Sequence, residues 1–179
     1  MNGIKRAAVI SNLADRLWKK GSWCGETHIQ KAGYFLQELL EVPLGFDFVM
    51  YKHGPFSFDL RDELTSLRAD GFLELLVQSS FGPSYVTTDL GKDIQSKFPK
   101  TLARHRNKLE FVADKLGNLT VVELEKLATA LFVTHDQKRH DGTEEGRAGE
   151  LHRLKKHIPE SDAREAVRKL DRMVEELRA

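Results

Sequence analysis

The chain has 179 residues, 40% apolar and 31% charged, with 28 Lys plus Arg against 27 Asp plus Glu. That length sustains one core, or one core with an appendage, and a net charge of +1 excludes global attraction to nucleic acid or membrane, so such a partner must be drawn locally. One cysteine, Cys24, excludes an internal disulfide, no apolar run is long enough to span a bilayer, and the first residues lack the core of a signal peptide; the expectation is a cytoplasmic protein with no membrane partner.

Residues 4–20 place Ala8, Val9, Leu13, Leu17 and Trp18 on one helical stripe, which Gly21 ends. Thr27 and Gln30 have the spacing of a capping box, and Ile29, Ala32, Leu36, Leu39 and Leu40 continue a second helix until Pro43 and Gly45 break it. Residues 46–51, "FDFVMY", alternate as a short strand. The stretch "YKHGPFSFDL" then has to turn at Gly54-Pro55, because proline lacks an amide donor and disfavours a helical residue before it. Tyr51, Gly54, Pro55, Ser57 and Gly71 are the structural residues of this corner: Ser57 caps a helix with Asp59 in its first turn and Leu60, Leu64 and Leu67 buried, and Gly71 supplies a left-handed stop.

Residues 72–88 read as a β-hairpin with Phe81-Gly82-Pro83 at its tip, and helix resumes at Asp89. The order helix, helix, strand, helix, hairpin, helix is that of a winged helix. Beyond Phe98-Pro99 the pattern is wholly helical: a stripe of Leu102, His105, Leu109, Val112 and Leu116, then a capping box at Thr120 and Glu123 leading Leu124, Leu127, Ala128, Leu131 and Phe132. A polar loop at 136–146 and two last helices parted by Pro159 follow. The predicted fold is α+β, mostly α: a winged-helix-like domain over 1–97 and a helical extension over 98–179.

Several segments resemble known families. "IQKAGYFLQELLEVPLGFDFVMYKHGPFSFDLRDELTSLRADGFLE" with "YVTTDLG" is similar to the YwgA-like bacterial proteins and, more distantly, to the Panacea domain of SocA-like antitoxins. The likeness rests on Gln30-Lys31 with Tyr34-Phe35-Leu36, on residues 51–57 with Leu60, on Leu64, Leu67 and Gly71-Phe72, and on Tyr85, Thr88 and Gly91. "ELEKLATALFVTH" and "LHRLKKHIPESDAREA" resemble the helical C-terminal part of the YwgA-like group. The resemblance implies a winged-helix-like fold and a regulatory or binding role, and it brings no catalytic residue.

Three stretches carry side chains capable of chemistry. Cys24 and His28 lie four apart near a helix start, where a thiolate is stabilised, yet no orienting third group accompanies them, and a lone small hydrophobe with a surface histidine is the plainer reading. His135-Asp136 and His140-Asp141 offer imidazole–carboxylate pairs, with a solvated loop the plainer reading. His152 and His157 diverge on a helix. The sequence contains no nucleotide-binding, nucleophile-elbow or paired-cysteine motif. The expectation is a protein that is not an enzyme and uses no metal or other cofactor.

Two binding readings remain. The recognition-helix candidate, 57–70, sets Arg61 and Arg68 against four acids, a net charge of −2, and the hairpin carries Glu74 but no cation, a poor match to phosphates. The run 97–108 carries Lys97, Lys100, Arg104, Arg106 and Lys108, +5 with no acid, which is either a phosphate-contacting face or a solvated one. An uncharged hairpin tip with Phe81 instead suits a protein partner, a toxin or regulatory target in the antitoxin- or adaptor-like reading. The expected partner is therefore a protein, with double-stranded DNA bound through 97–108 as the alternative. The last helix, with nothing after it to cover its stripe, suggests a homodimer through the C-terminal helices.

Overall fold

Apolar residues on nearly every side of the first helix mark it as a central element. In α1 (Gly3–Lys19), Ala7, Ala8, Val9, Ile10, Leu13, Ala14 and Leu17 are all at most 5% exposed. The computed structural model of the protein describes residues 1–78 and 82–178, so Phe81 and the predicted hairpin tip lie outside the described residues. The fold is α+β and mostly helical. Its elements run α1, α2 (Glu26–Tyr34), a π-helical turn (Phe35–Leu39), β1 (Val49–Tyr51), β2 (Gly54–Phe56), α3 (Phe58–Ala69), β3 (Leu73–Gln78), β4 (Gly82–Thr87), α4 (Asp89–Lys97), α5 (Pro99–Leu116), α6 (Val121–His135), α7 (Glu144–Leu154) and α8 (Glu160–Arg178).

Contacts divide the chain into two compact units, one comprising Met1–Val49 and Phe56–Leu119, the other Met50–Pro55 and Thr120–Ala179. In the first, α1 packs against α2, α4, α5 and β4. Phe98-Pro99, the seam expected from sequence, lies inside this unit as the link between α4 and α5, because α5 lays Leu109, Val112, Ala113 and Leu116 into its core. In the second, α6, α7 and α8 pack on one another through Leu124, Leu127, Leu131, Leu151, Val167 and Leu170. The apolar stripe of α8 is thus covered by its own chain: Ala163, Ala166, Val167, Leu170 and Met173 are buried.

Several local expectations hold. Ser57 caps α3 by accepting from the Leu60 amide at 3.2 Å, and Leu60, Leu64 and Leu67 are buried. Gly71, at φ +75°, takes the left-handed conformation that stops α3. Strands β3 and β4 pair antiparallel, Leu73 opposite Thr87 and Val77 opposite Pro83. Thr120 and Glu123 form the reciprocal capping box of α6.

Three expectations are corrected. α2 starts one residue before Thr27, with Gly25 as its N-cap and no side-chain cap bond, because Gln30 is recruited elsewhere: its side chain accepts from the Ser57 amide and donates to the Ser57 carbonyl, both at 2.9 Å. The strand predicted at 46–51 shortens to β1, because Phe46 is held instead by Gln37, whose side chain bonds the Phe46 amide at 2.9 Å and its carbonyl at 2.7 Å. The chain turns at Lys52-His53, and Gly54 (φ +82°) and Pro55 then belong to β2, which pairs with β1 in a sheet separate from β3–β4. A short strand of a two-stranded sheet tolerates proline where a central strand does not.

Candidate functional site

The predicted basic run begins at the end of α4 and fills the first half of α5. Pro99 starts α5, so Lys100 falls in its first turn. Lys97, Lys100, Arg104 and Arg106 are exposed and enter no ion pair among the described residues. They do not share one face. Lys100 and Arg104 are one turn apart, but Arg106 lies about 200° of helical rotation beyond Arg104. Lys108 is withdrawn further: its ammonium donates to the Leu40 carbonyl at 2.5 Å. The second half of α5 is acidic toward α1, with Glu110 paired to Arg16 and Lys20, and Asp114 to Lys20.

The α3 surface is different in character. Asp59, Asp62 and Asp70 are exposed. Arg61 lies 3.4 Å from Asp62 and 5.1 Å over the Phe58 ring, so its charge is partly engaged. Glu63 is paired with Arg6 at 2.8 Å, and Arg68 is exposed near Tyr85, whose hydroxyl pKa burial raises. On the adjacent ribbon, Leu76 is 43% and Val77 76% exposed, and Pro83 opposite Val77 is exposed too. The structure therefore places Arg61 and Arg68 on an acidic helix beside an apolar ribbon.

The side chains of Cys24, His28, His140, Asp141 and His152 have structural partners or are buried. Cys24 precedes α2 and is wholly buried, and burial pushes its thiol up to about 12, so it packs as the small hydrophobe of the plainer reading. His28, 6% exposed, is held below the ordinary histidine range by the same cause. In the polar loop, the His140 Nε2–H donates to the Val133 carbonyl at 2.8 Å while its Nδ1 accepts from the Gly142 amide at 3.0 Å. Asp141 accepts from the Thr143 amide at 3.0 Å, and Thr143 caps α7. A polar recess of ≈ 410 Å³ sits here, lined in part by His140, Asp141 and Arg147, but the Arg147 guanidinium is held by both oxygens of Asp171 at 2.7 and 2.8 Å. The His152 Nδ1–H donates to the Ile158 carbonyl at 2.7 Å, away from His157.

One cluster escaped the sequence reading. In the second unit Glu125 on α6 and Lys155, the C-cap of α7, are buried together, with His157 Nε2 3.2 Å from Glu125 Oε1 and His53 Nδ1 3.5 Å from Oε2. The one signal available was that Glu125 shares a helical face with Ala128 and Phe132, three and seven residues on, within an otherwise apolar stripe. Lys31, on α2, is likewise buried where a lysine is seldom found. Among the described residues no group of three or more His, Cys, Asp or Glu side chains is placed to hold a metal ion, and no helix is long and apolar enough to cross a membrane.

No protein-family model matches the chain, and no curated protein matches it.

Proposed function

We propose that the protein is a non-enzymatic recognition module whose first unit, a winged-helix-like body, binds a protein partner through the α3 surface and the β3–β4 ribbon. The observation that carries this reading is a ribbon that exposes Leu76 on one face and Val77 on the other, next to a helix that exposes Asp59, Asp62 and Asp70. A phosphate backbone needs cations or amide donors on both elements, and these present acids and hydrocarbon. Exposed aliphatic side chains on a ribbon without a cation suit a protein surface instead. The resemblance of residues 29–74 to YwgA-like proteins, and more distantly to the Panacea domain of SocA-like antitoxins, points the same way.

A second reading has one observation in its favour: Lys97, Lys100 and Arg104 are exposed and free of ion pairs among the described residues. In that reading duplex DNA is bound outside the usual winged-helix geometry. Titration of a labelled random duplex at about 50 and about 200 mM salt separates the two, because phosphate-driven binding falls steeply over that range. The protein-partner reading predicts no salt-sensitive binding. Salt-sensitive binding that is lost in a Lys100→Ala, Arg104→Ala, Arg106→Ala variant replaces it with the DNA reading.

A further inference from the structure

In the second unit, Glu125 and Lys155 are 5% and 6% exposed, yet their nearest N–O distance is 3.7 Å, beyond a good hydrogen bond. The Lys155 ammonium instead donates to two consecutive carbonyls, Tyr51 at 2.5 Å and Lys52 at 2.7 Å. Glu125 Oε1 is buried and accepts no well-aligned hydrogen bond, although cationic side chains stand near it. The residues facing it are Lys155, His157 from the α7–α8 link at 3.2 Å, and His53 from the turn at 50–55, whose ring meets the other oxygen at 3.5 Å. The two rings are more than half exposed, so this acid is closed in by residues 50–55 and Lys155 with solvent close by.

This arrangement favours closure less than full pairing does. A buried acceptor without a well-aligned donor is penalised, and water reaching Oε1 removes the penalty. The ammonium that holds residues 50–55 is also the group that Glu125 needs. Gly54, at φ +82°, is a backbone position able to take up the dihedral change of an opening. Closed and open forms of residues 50–55 therefore lie nearer in free energy than closed and unfolded forms of the helices beneath them.

We propose that residues 50–55 form a releasable strap over the Glu125–Lys155 pair, closed as seen here and lifted by local opening while α6, α7 and α8 stay folded. Lifting exposes the Glu125 carboxylate and the Lys155 ammonium beside His157, which is already exposed in the closed form. Hydrogen exchange of the full chain tests this. Amides 50–54 exchange at least about tenfold faster than the interior amides of α6–α8, the span expected between local and global opening. Lys155→Met, which removes the two bonds to the strap's carbonyls, speeds 50–54 by about another tenfold and leaves the interior amides of α6–α8 unchanged. Should that variant fail to fold, His53→Ala on the exposed turn decides, with about threefold faster exchange confined to the same amides. Exchange of 50–54 in step with α6–α8, or an equal response of the helices to the folded variant, overturns the proposal.

Discussion

His28 and His105 are each 6% exposed, and each has an Nδ1 atom without a hydrogen-bond partner. Burial disfavours the charged ring in both, and for His105 the neighbouring Lys108 and Arg104 add to it. The unfolded chain therefore binds protons that the folded chain refuses, so these residues contribute stability that is full above the ordinary histidine range and lost as pH falls through it. The urea midpoint is predicted to drop between about pH 7 and about pH 5, and a His28→Gln, His105→Gln variant to flatten that drop. Gln30 carries a second prediction. Ser57 is wholly buried and its amide has the Gln30 side chain as partner, so Gln30→Ala costs about 2 kcal/mol in equilibrium unfolding; a loss under about 0.5 kcal/mol contradicts the pairing. This is where reading from sequence fell short. Thr27 and Gln30 had the spacing of a local cap, but a partner 27 residues away competed for the amide and won. Cys24 is the small buried hydrophobe of the plainer reading, whereas His28, which that reading puts at the surface, is buried too, and spacing does not report that.

Helix caps fared better, because their chemistry is contained within four residues. Ser57 and Thr120 cap α3 and α6 as their sequence contexts predict, and Thr120→Ala is expected to cost about 1 kcal/mol by thermal or urea unfolding. The Thr120 amide and hydroxyl hold the Glu123 carboxyl below its usual range, so the box contributes above the ordinary glutamate range and fades as pH falls through the lowered value. Elements whose pattern depends on distant partners were harder to read. β2 was missed because Gly54-Pro55 signals a turn, and proline in a two-stranded edge overrides that signal. The π-helical turn after Tyr34, in which the Leu40 amide reaches back to the Phe35 carbonyl at 3.1 Å, leaves no mark in apolar spacing. α5 was legible as a helix, but its basic run was read as one surface, whereas helical rotation separates Arg106 from Arg104 and Lys108 is tied to Leu40.

For the chain as a whole, the mixed α and β class followed from element order and hydrophobic period, while residues 50–55 group with 120–179, to which the Lys155 ammonium ties the Tyr51 and Lys52 carbonyls, and no periodicity encodes that. The functional reading rests on how charge and hydrocarbon are distributed over the first unit: cations on α4 and α5, acids on α3, aliphatic side chains on the ribbon. Site-directed photo-crosslinking in living cells tests that reading, with the reactive residue placed at Val77 or, separately, at Lys100. A discrete protein adduct from position 77 that disappears with Leu76→Asp is the predicted outcome. Nucleic-acid adducts from position 100, with none to protein from position 77, would contradict it.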